Sequence, residues 1–150
     1  MTRYTMEIPG FAADHKPTYE VPRRQKYRTI PSSVPTRKGV NCGYIRVSSP
    51  LAVDLLMRLE TDPRVARISS YPTGVETVVY DRYGPIGRRV HHPEFGVMMA
   101  SGRFIFMDAI PYNIQREFKG FRRRTAALVD ACWSQWGVPY AVHNELSLHI

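Results

Sequence analysis

Two carboxylates, Glu94 and Asp108, are the residues of this chain whose type and placement best suit chemistry. They fall at corresponding positions on two successive predicted strands, which a tight turn over 100–102 joins into a hairpin. No Ser/His/Asp or Cys/His combination has a spacing that rises above chance, and residues 83–87 lack the glycine pattern that holds a nucleotide phosphate. The chemistry open to this sequence is therefore that of a carboxylate pair.

The elements that must position the pair are a helix and a set of strands between Pro50 and Pro111. Ser49 and Pro50 form a favourable helix start, a leucine stripe marks the buried face, and Asp62 with Pro63 ends the helix. Residues 104–107 are almost wholly apolar, which predicts a central strand buried on both faces. The predicted strands, one of which re-enters the sheet just before the carboxylates, are 65–70, 75–80, 88–91, 94–99 and 103–109.

A long helix from about 113 to 136 and a last strand over 139–144 complete the predicted order. Gly137 is typical of a helix end, and Trp136 is predicted to face the core while Trp133 faces outward. A run such as Arg122 to Arg124 is usually a solvated helix face, but the basic N-terminal third favours DNA contacts by Arg122 and Arg123. The predicted buried stripe comprises Phe118, Phe121, Thr125, Leu128, Cys132 and Trp136.

The chain carries a net charge of +8 over 150 residues, a length typical of one domain. Residues 1–40 hold eight Lys and Arg against three Asp and Glu, a net +5, and five prolines interrupt any regular element there. We therefore predict an extended basic Pro-rich arm over 1–40 and an α/β domain over 41–150. The alternatives are a solvated tail or an arm that docks on a neighbouring subunit or on its own domain. The arm cations predicted to bind DNA phosphates are Arg23, Arg24, Lys26, Arg28, Arg37 and Lys38.

Nothing in the sequence indicates export or insertion in a membrane. No run approaches the ~20 apolar residues that a membrane span needs, and the first residues lack the apolar region of a signal peptide. Cys42 and Cys132 have no neighbouring ligand spacing, which argues against a zinc site and for reduced thiols. These features predict a cytoplasmic protein, or a virion protein if the chain is phage-encoded.

Several short motifs carry a resemblance to a known family. From about residue 24 to 150 the sequence resembles the TnsA-type transposon endonucleases of the PD-(D/E)xK nuclease superfamily. The resemblance implies a restriction-endonuclease-like mixed sheet flanked by helices, preceded by an extended basic N-terminal arm. The motifs are Leu59-Glu60-Thr61-Asp62-Pro63-Arg64-Val65, Tyr71-Pro72, His92-Pro93-Glu94-Phe95, Met107-Asp108-Ala109-Ile110-Pro111 and Gly137-Val138-Pro139-Tyr140.

The resemblance implies a role for the carboxylate pair, together with two departures from the family pattern. Glu94 and Asp108 take the places of family carboxylates that hold Mg²⁺ or Mn²⁺, which generates the attacking hydroxide. Ala52 stands where the family has a helix Glu, and Ile110 stands where it has a Lys. An Ile neither donates a proton nor stabilises an anion. The side chains that could substitute for the missing groups are His91, His92, Arg116 and Lys119.

These departures lead us to expect a DNA-binding protein on a TnsA-like nuclease fold that has lost catalysis and needs no cofactor. One alternative is a Mg²⁺- or Mn²⁺-dependent DNA endonuclease with a rearranged site, working beside a transposase-like partner. A second alternative is a structural component of a large assembly such as a phage particle. In that case the arm would join a protein partner or a second copy of the chain.

Overall fold

The computed structural model describes residues 7–22, 31–40 and 43–148, and these form a mixed α/β architecture. A four-stranded sheet in the order β3-β6-β7-β8 lies at the centre, and two further strand pairs, β1-β2 and β4-β5, flank it. β3, β6 and β7 pair antiparallel, and β8 joins β7 in parallel. The elements are β1 (Ser32–Pro35), β2 (Tyr44–Val47), α1 (Pro50–Thr61), β3 (Val65–Ser70), β4 (Val75–Asp81), β5 (Gly84–His91), β6 (Phe95–Met99), β7 (Phe104–Ala109), α2 (Tyr112–Glu117), α3 (Phe121–Trp136), β8 (Tyr140–His143) and α4 (Glu145–Leu148).

Helix α1 begins and ends as its sequence predicts. The Ser49 hydroxyl accepts a hydrogen bond from the Ala52 N–H at 3.1 Å, which satisfies one of the unpaired donors of the first turn. At the other end, the Lys38 ammonium donates to the carbonyls of Leu59 at 3.3 Å and Asp62 at 2.7 Å. A cation at this end also complements the helix dipole. The leucine stripe of α1 is buried against the sheet.

Strand β7 is the central strand that its apolar sequence predicts, because it lies between β6 and β8. Its side chains alternate between two core clusters on opposite faces of the sheet. Ile105 and Met107 pack on the α1 side, whereas Phe104 and Phe106 pack on the α3 side. Asp108 continues the second set, so its carboxylate lies on the face that α3 covers.

The prediction of a single long helix after Pro111 is wrong, because the structure contains two helices there. α2 ends at Glu117 and α3 begins at Phe121, with Gly120 between them at φ +91°. Glycine adopts this left-handed conformation without steric cost, so the chain turns at this point. The break also leaves Phe118, a predicted stripe residue, exposed, whereas Leu128 and Cys132 are buried as predicted. None of the helices in the described ranges is long and apolar enough to cross a bilayer.

The segment predicted to re-enter the sheet at 88–91 instead belongs to a separate hairpin. β5 pairs with β4 over its full length, from Asp81 opposite Gly84 to Val75 opposite His91. The hairpin is inserted between β3 and β6, and Val75 at its base belongs to the α3-side core. Beyond Val75, its side chains are largely exposed.

The N-terminal residues that the structure describes lie against the rest of the chain. Ser32–Pro35 forms β1, a strand where the prolines predicted no regular element, and it pairs with β2. The Val40 N–H donates to the Ile68 carbonyl on the edge strand β3, and the Ile68 N–H donates to the Lys38 carbonyl. Farther upstream, the rings of Phe11 and Phe104 meet edge to face at 5.0 Å. Arg23, Arg24, Lys26 and Arg28 lie outside the described residues.

Candidate functional site

Glu94 and Asp108 lie opposite each other where β6 begins and β7 ends. The register pairs Phe95 with Met107, which brings the two acids side by side on neighbouring strands. The Glu94 N–H donates to Asp108 Oδ1 at 2.9 Å, and the Ala109 N–H donates to Glu94 Oε1 at 2.9 Å. Each carboxylate therefore accepts a hydrogen bond from a backbone N–H of the opposite strand, where the next backbone–backbone hydrogen bond of the sheet would otherwise form. The predicted pairing of these two residues is confirmed.

The second oxygen of Asp108 accepts two further hydrogen bonds. His91 Nε2 lies 2.5 Å from Oδ2, and the Tyr140 hydroxyl donates to the same oxygen at 2.5 Å. Asp108 is only 2% exposed, so an ionised carboxylate here depends on these donors rather than on water. Together with the Glu94 N–H, they give Asp108 three protein donors, and its charge is stabilised by hydrogen bonding.

Arg124 fixes the tautomer of His91. Its Nη2 lies 3.1 Å from His91 Nδ1, and a guanidinium has donors but no acceptor. The Nδ1 atom must therefore accept, which leaves the ring proton on Nε2, where it points at Asp108. The result is a chain of hydrogen bonds from Arg124 on α3, through a neutral His91, to the buried Asp108 carboxylate.

Glu94, unlike Asp108, has a carboxylate oxygen that accepts no hydrogen bond from the described residues. Its Oε2 is inaccessible to solvent and has no hydrogen-bond partner among the described residues. Burial, followed by the nearby charge of Asp108, raises the pKa of Glu94 to about 8. The raised pKa favours the protonated form of Glu94 at neutral pH.

A cleft of about 330 Å³ opens onto the pair, and two tyrosines border it. The Tyr71 N–H donates to the Glu94 carbonyl at 2.9 Å, and burial raises the pKa of its phenol. Tyr71 has φ 43°, the one non-glycine positive φ in the described part of the chain. Such strained residues persist only where their surroundings hold them. The Tyr19 ring packs 5.1 Å from that of Tyr71 and 5.9 Å from that of His92, which closes one side of the cleft.

The residues around the pair do not fit the divalent metal that the resemblance implies. Both oxygens of Asp108 already bind protein donors, and Ile110 lines the cleft where the family has a Lys. Ala52 is fully buried in the α1-side core, and Asp54 lies on the exposed side of α1, beside Met57. No group of three or more His, Cys, Asp or Glu side chains in the described ranges is arranged to hold a metal ion.

A second feature is a groove at the junction of α2 and α3, with a volume of about 950 Å³, which we call the junction groove. Four cations line it and no acid does. None of these cations pairs with a carboxylate in the part of the chain that the structure describes. Two exposed aromatic rings, Tyr112 and Phe118, stand among them. Its lining residues are Tyr112, Gln115, Arg116, Phe118, Lys119, Gly120, Phe121, Arg122 and Arg123.

The predicted cations occupy different places. Arg122 and Arg123 lie together in the junction groove. Arg116 and Lys119, the candidate substitutes for the missing Lys, line the same groove and not the cleft at the carboxylates. Arg37 is exposed, and its N–H binds the Glu60 carboxylate. Lys38 has its ammonium at the end of α1, a structural position.

Tyr140 and Arg124 are the site residues that sequence reasoning missed. The sequence places Tyr140 on a strand parallel to the Asp108 strand, but only the register of β8 shows that its hydroxyl reaches Asp108. Arg124 is the last of three consecutive arginines, and only the packing of α3 shows that its side chain reaches His91. His91 was anticipated as a possible ligand or base, and His92 instead binds the Thr18 hydroxyl at 2.9 Å.

Comparison with known proteins identifies no family for this chain. No family model matches the sequence, and no curated protein matches it. The resemblance to TnsA-type endonucleases therefore depends on the motifs quoted from the sequence and on the order of the elements.

Proposed function

We propose that this chain is a DNA-binding protein, built on a nuclease-like mixed α/β fold, that holds DNA without cutting it. The junction groove carries the proposal. Its four cations converge without a competing acid, and a groove of this charge attracts a polyanion. Tyr112 and Phe118 add rings that can contact sugars and bases.

The order of the elements supports the nuclease-like part of the proposal. A helix, an antiparallel set of three strands, a further helical segment and a parallel fourth strand follow one another, as the resemblance implies. The carboxylates lie at the start of β6 and the end of β7. The hairpin β4-β5 is an insertion in this order.

The bonding of the carboxylates supports the absence of cleavage. A nuclease of this type needs ionised carboxylates with free oxygens for its metal and a cation beside them. Here Asp108 is engaged by three donors, and Ile110 contributes no charge. The pair thus contributes to the structure of the sheet edge.

Binding to a duplex is expected to weaken about tenfold in the double variant Arg122→Ala/Arg123→Ala at ~0.1 M salt. Each phosphate contact that is lost removes about 0.9 from the slope of log K against log salt, so the slope should fall by about 2. Fluorescence anisotropy with a labelled duplex over a salt series measures both quantities. The matched control is Arg58→Ala/Arg103→Ala, which removes the same charge at exposed positions outside the groove. If both double variants bind equally, the groove is not the DNA site.

Supercoiled plasmid incubated with the protein and Mn²⁺ is expected to be retarded on an agarose gel but to stay intact. EDTA should change neither result, and Ile110→Lys alone should not restore nicking, because Asp108 remains bonded to His91 and Tyr140. Nicking that requires Mn²⁺ and disappears in Asp108→Ala would contradict the proposal and establish the endonuclease alternative. Plasmid that is neither shifted nor cut would favour the assembly-protein alternative.

A further inference from the structure

A second groove lies beside the junction groove, between the β4-β5 hairpin and α3, and we call it the hairpin groove. It has a volume of about 560 Å³ and shares Phe118, Lys119, Gly120 and Arg123 with the junction groove. Two large aromatic side chains line it from different elements. Tyr80 of β4 is 61% exposed, and Phe118 at the α2–α3 junction is 48% exposed. Neither ring belongs to a core cluster.

The charge of the hairpin groove matches a phosphate chain. Four cations line it, against the single carboxylate of Asp130. Two of them, Lys119 and Arg123, also line the junction groove, so one basic surface runs through both. The other two are Arg89 of the hairpin and Arg124 of α3.

Small apolar side chains also line the groove. They are Ala126 and Ala127 of α3 and Val79 of the hairpin. A surface of this kind accepts the flat face of an aromatic ring without leaving polar groups unpaired.

The exposed aromatic rings of the hairpin groove favour one form of DNA over the other. A duplex keeps its bases stacked inside and offers no free ring to Tyr80 or Phe118. Unpaired bases do offer their faces, and proteins that bind single strands combine a basic groove with aromatic stacking.

We infer that the hairpin groove binds unpaired nucleotides of DNA, with bases against Tyr80 and Phe118 and phosphates near Arg89 and Lys119. This inference rests on the proposed DNA binding and specifies its substrate class as a duplex with a single-stranded extension. The duplex part occupies the junction groove, and the extension continues into the hairpin groove.

The test compares a blunt duplex with the same duplex carrying a tail of about eight unpaired nucleotides, by fluorescence anisotropy. The wild type should bind the tailed DNA about tenfold more tightly, since stacking of one or two bases supplies a gain of that order. Phe118→Ala and Tyr80→Ala should each remove most of the gain, and Tyr80→Ala, which lies outside the junction groove, should leave blunt-duplex binding within about twofold. Tyr80→Phe should keep the gain, because a phenyl ring still stacks.

Trp133→Ala is the matched control, since Trp133 is 64% exposed on α3 and lines neither groove. It should retain the full preference for the tail, and circular dichroism confirms that each variant is folded. If the wild type binds blunt and tailed duplexes equally, the inference is overturned and the proposed function stands. If the wild type binds neither the blunt nor the tailed duplex, the inference and the proposed function are both overturned. Equal loss of the preference in Trp133→Ala would also contradict the assignment to the hairpin groove.

Discussion

Asp108→Ala is expected to lower the free energy of unfolding by about 3–5 kcal/mol in buffer that contains EDTA. The variant removes the acceptor of three hydrogen bonds, from His91 Nε2, the Tyr140 hydroxyl and the Glu94 N–H, and these donors cannot all reach water. Urea denaturation followed by circular dichroism measures the loss. Tyr140→Phe removes one donor and leaves the acceptor satisfied, so it should cost only about 1 kcal/mol.

The same experiment separates a structural carboxylate from a metal ligand. Acids clustered to receive a cation repel one another when the cation is absent, and removing one of them then stabilises the protein. Stability that is unchanged or raised in Asp108→Ala would therefore show that the pair is held ready for a metal ion, against our proposal. Asp54→Ala, which removes an exposed acid of α1, is the control and should change the free energy of unfolding by less than about 0.5 kcal/mol.

Local sequence signals predicted the elements that lie closest to the carboxylates. Ser49 with Pro50 marks the start of α1, and the apolar run 104–107 marks the central strand, because both depend on patterns within a few residues. The turn over 100–102 then sets Glu94 opposite Asp108. The carboxylate pairing could be predicted because it requires only the register of one tight hairpin.

The surroundings of the pair depend on contacts far apart in sequence, and these could not be predicted. Tyr140 reaches Asp108 only through the parallel register of β8, and Arg124 reaches His91 across 33 residues. The helix break was missed for a different reason. The apolar spacing continues through Phe118 to Phe121, so periodicity favours one helix, whereas Gly120 adopts a left-handed conformation and turns the chain.

Glu94→Gln is expected to remove a decline in stability that the wild type shows as pH rises. In the unfolded chain Glu94 titrates near pH 4.5, whereas in the folded protein its pKa is raised to about 8 by burial and by the charge of Asp108. The folded state therefore binds the extra proton, and its contribution is fully present below pH 4.5 and is lost as pH rises through 8. A shift of this size corresponds to at most about 4–5 kcal/mol.

Gln cannot ionise, and its side-chain oxygen can still accept from the Ala109 N–H, so the variant mimics the protonated acid. The free energy of unfolding, measured by urea denaturation at several pH values between about 5 and 9, should therefore fall in the wild type relative to Glu94→Gln. The variant should be the more stable protein at the alkaline end. Glu76→Gln makes the same change at an exposed carboxylate of the hairpin and should follow the wild-type curve. Parallel curves for wild type and Glu94→Gln would mean that Glu94 is ionised in the folded protein. The pair would then carry two negative charges, and a bound cation would be needed to hold them together.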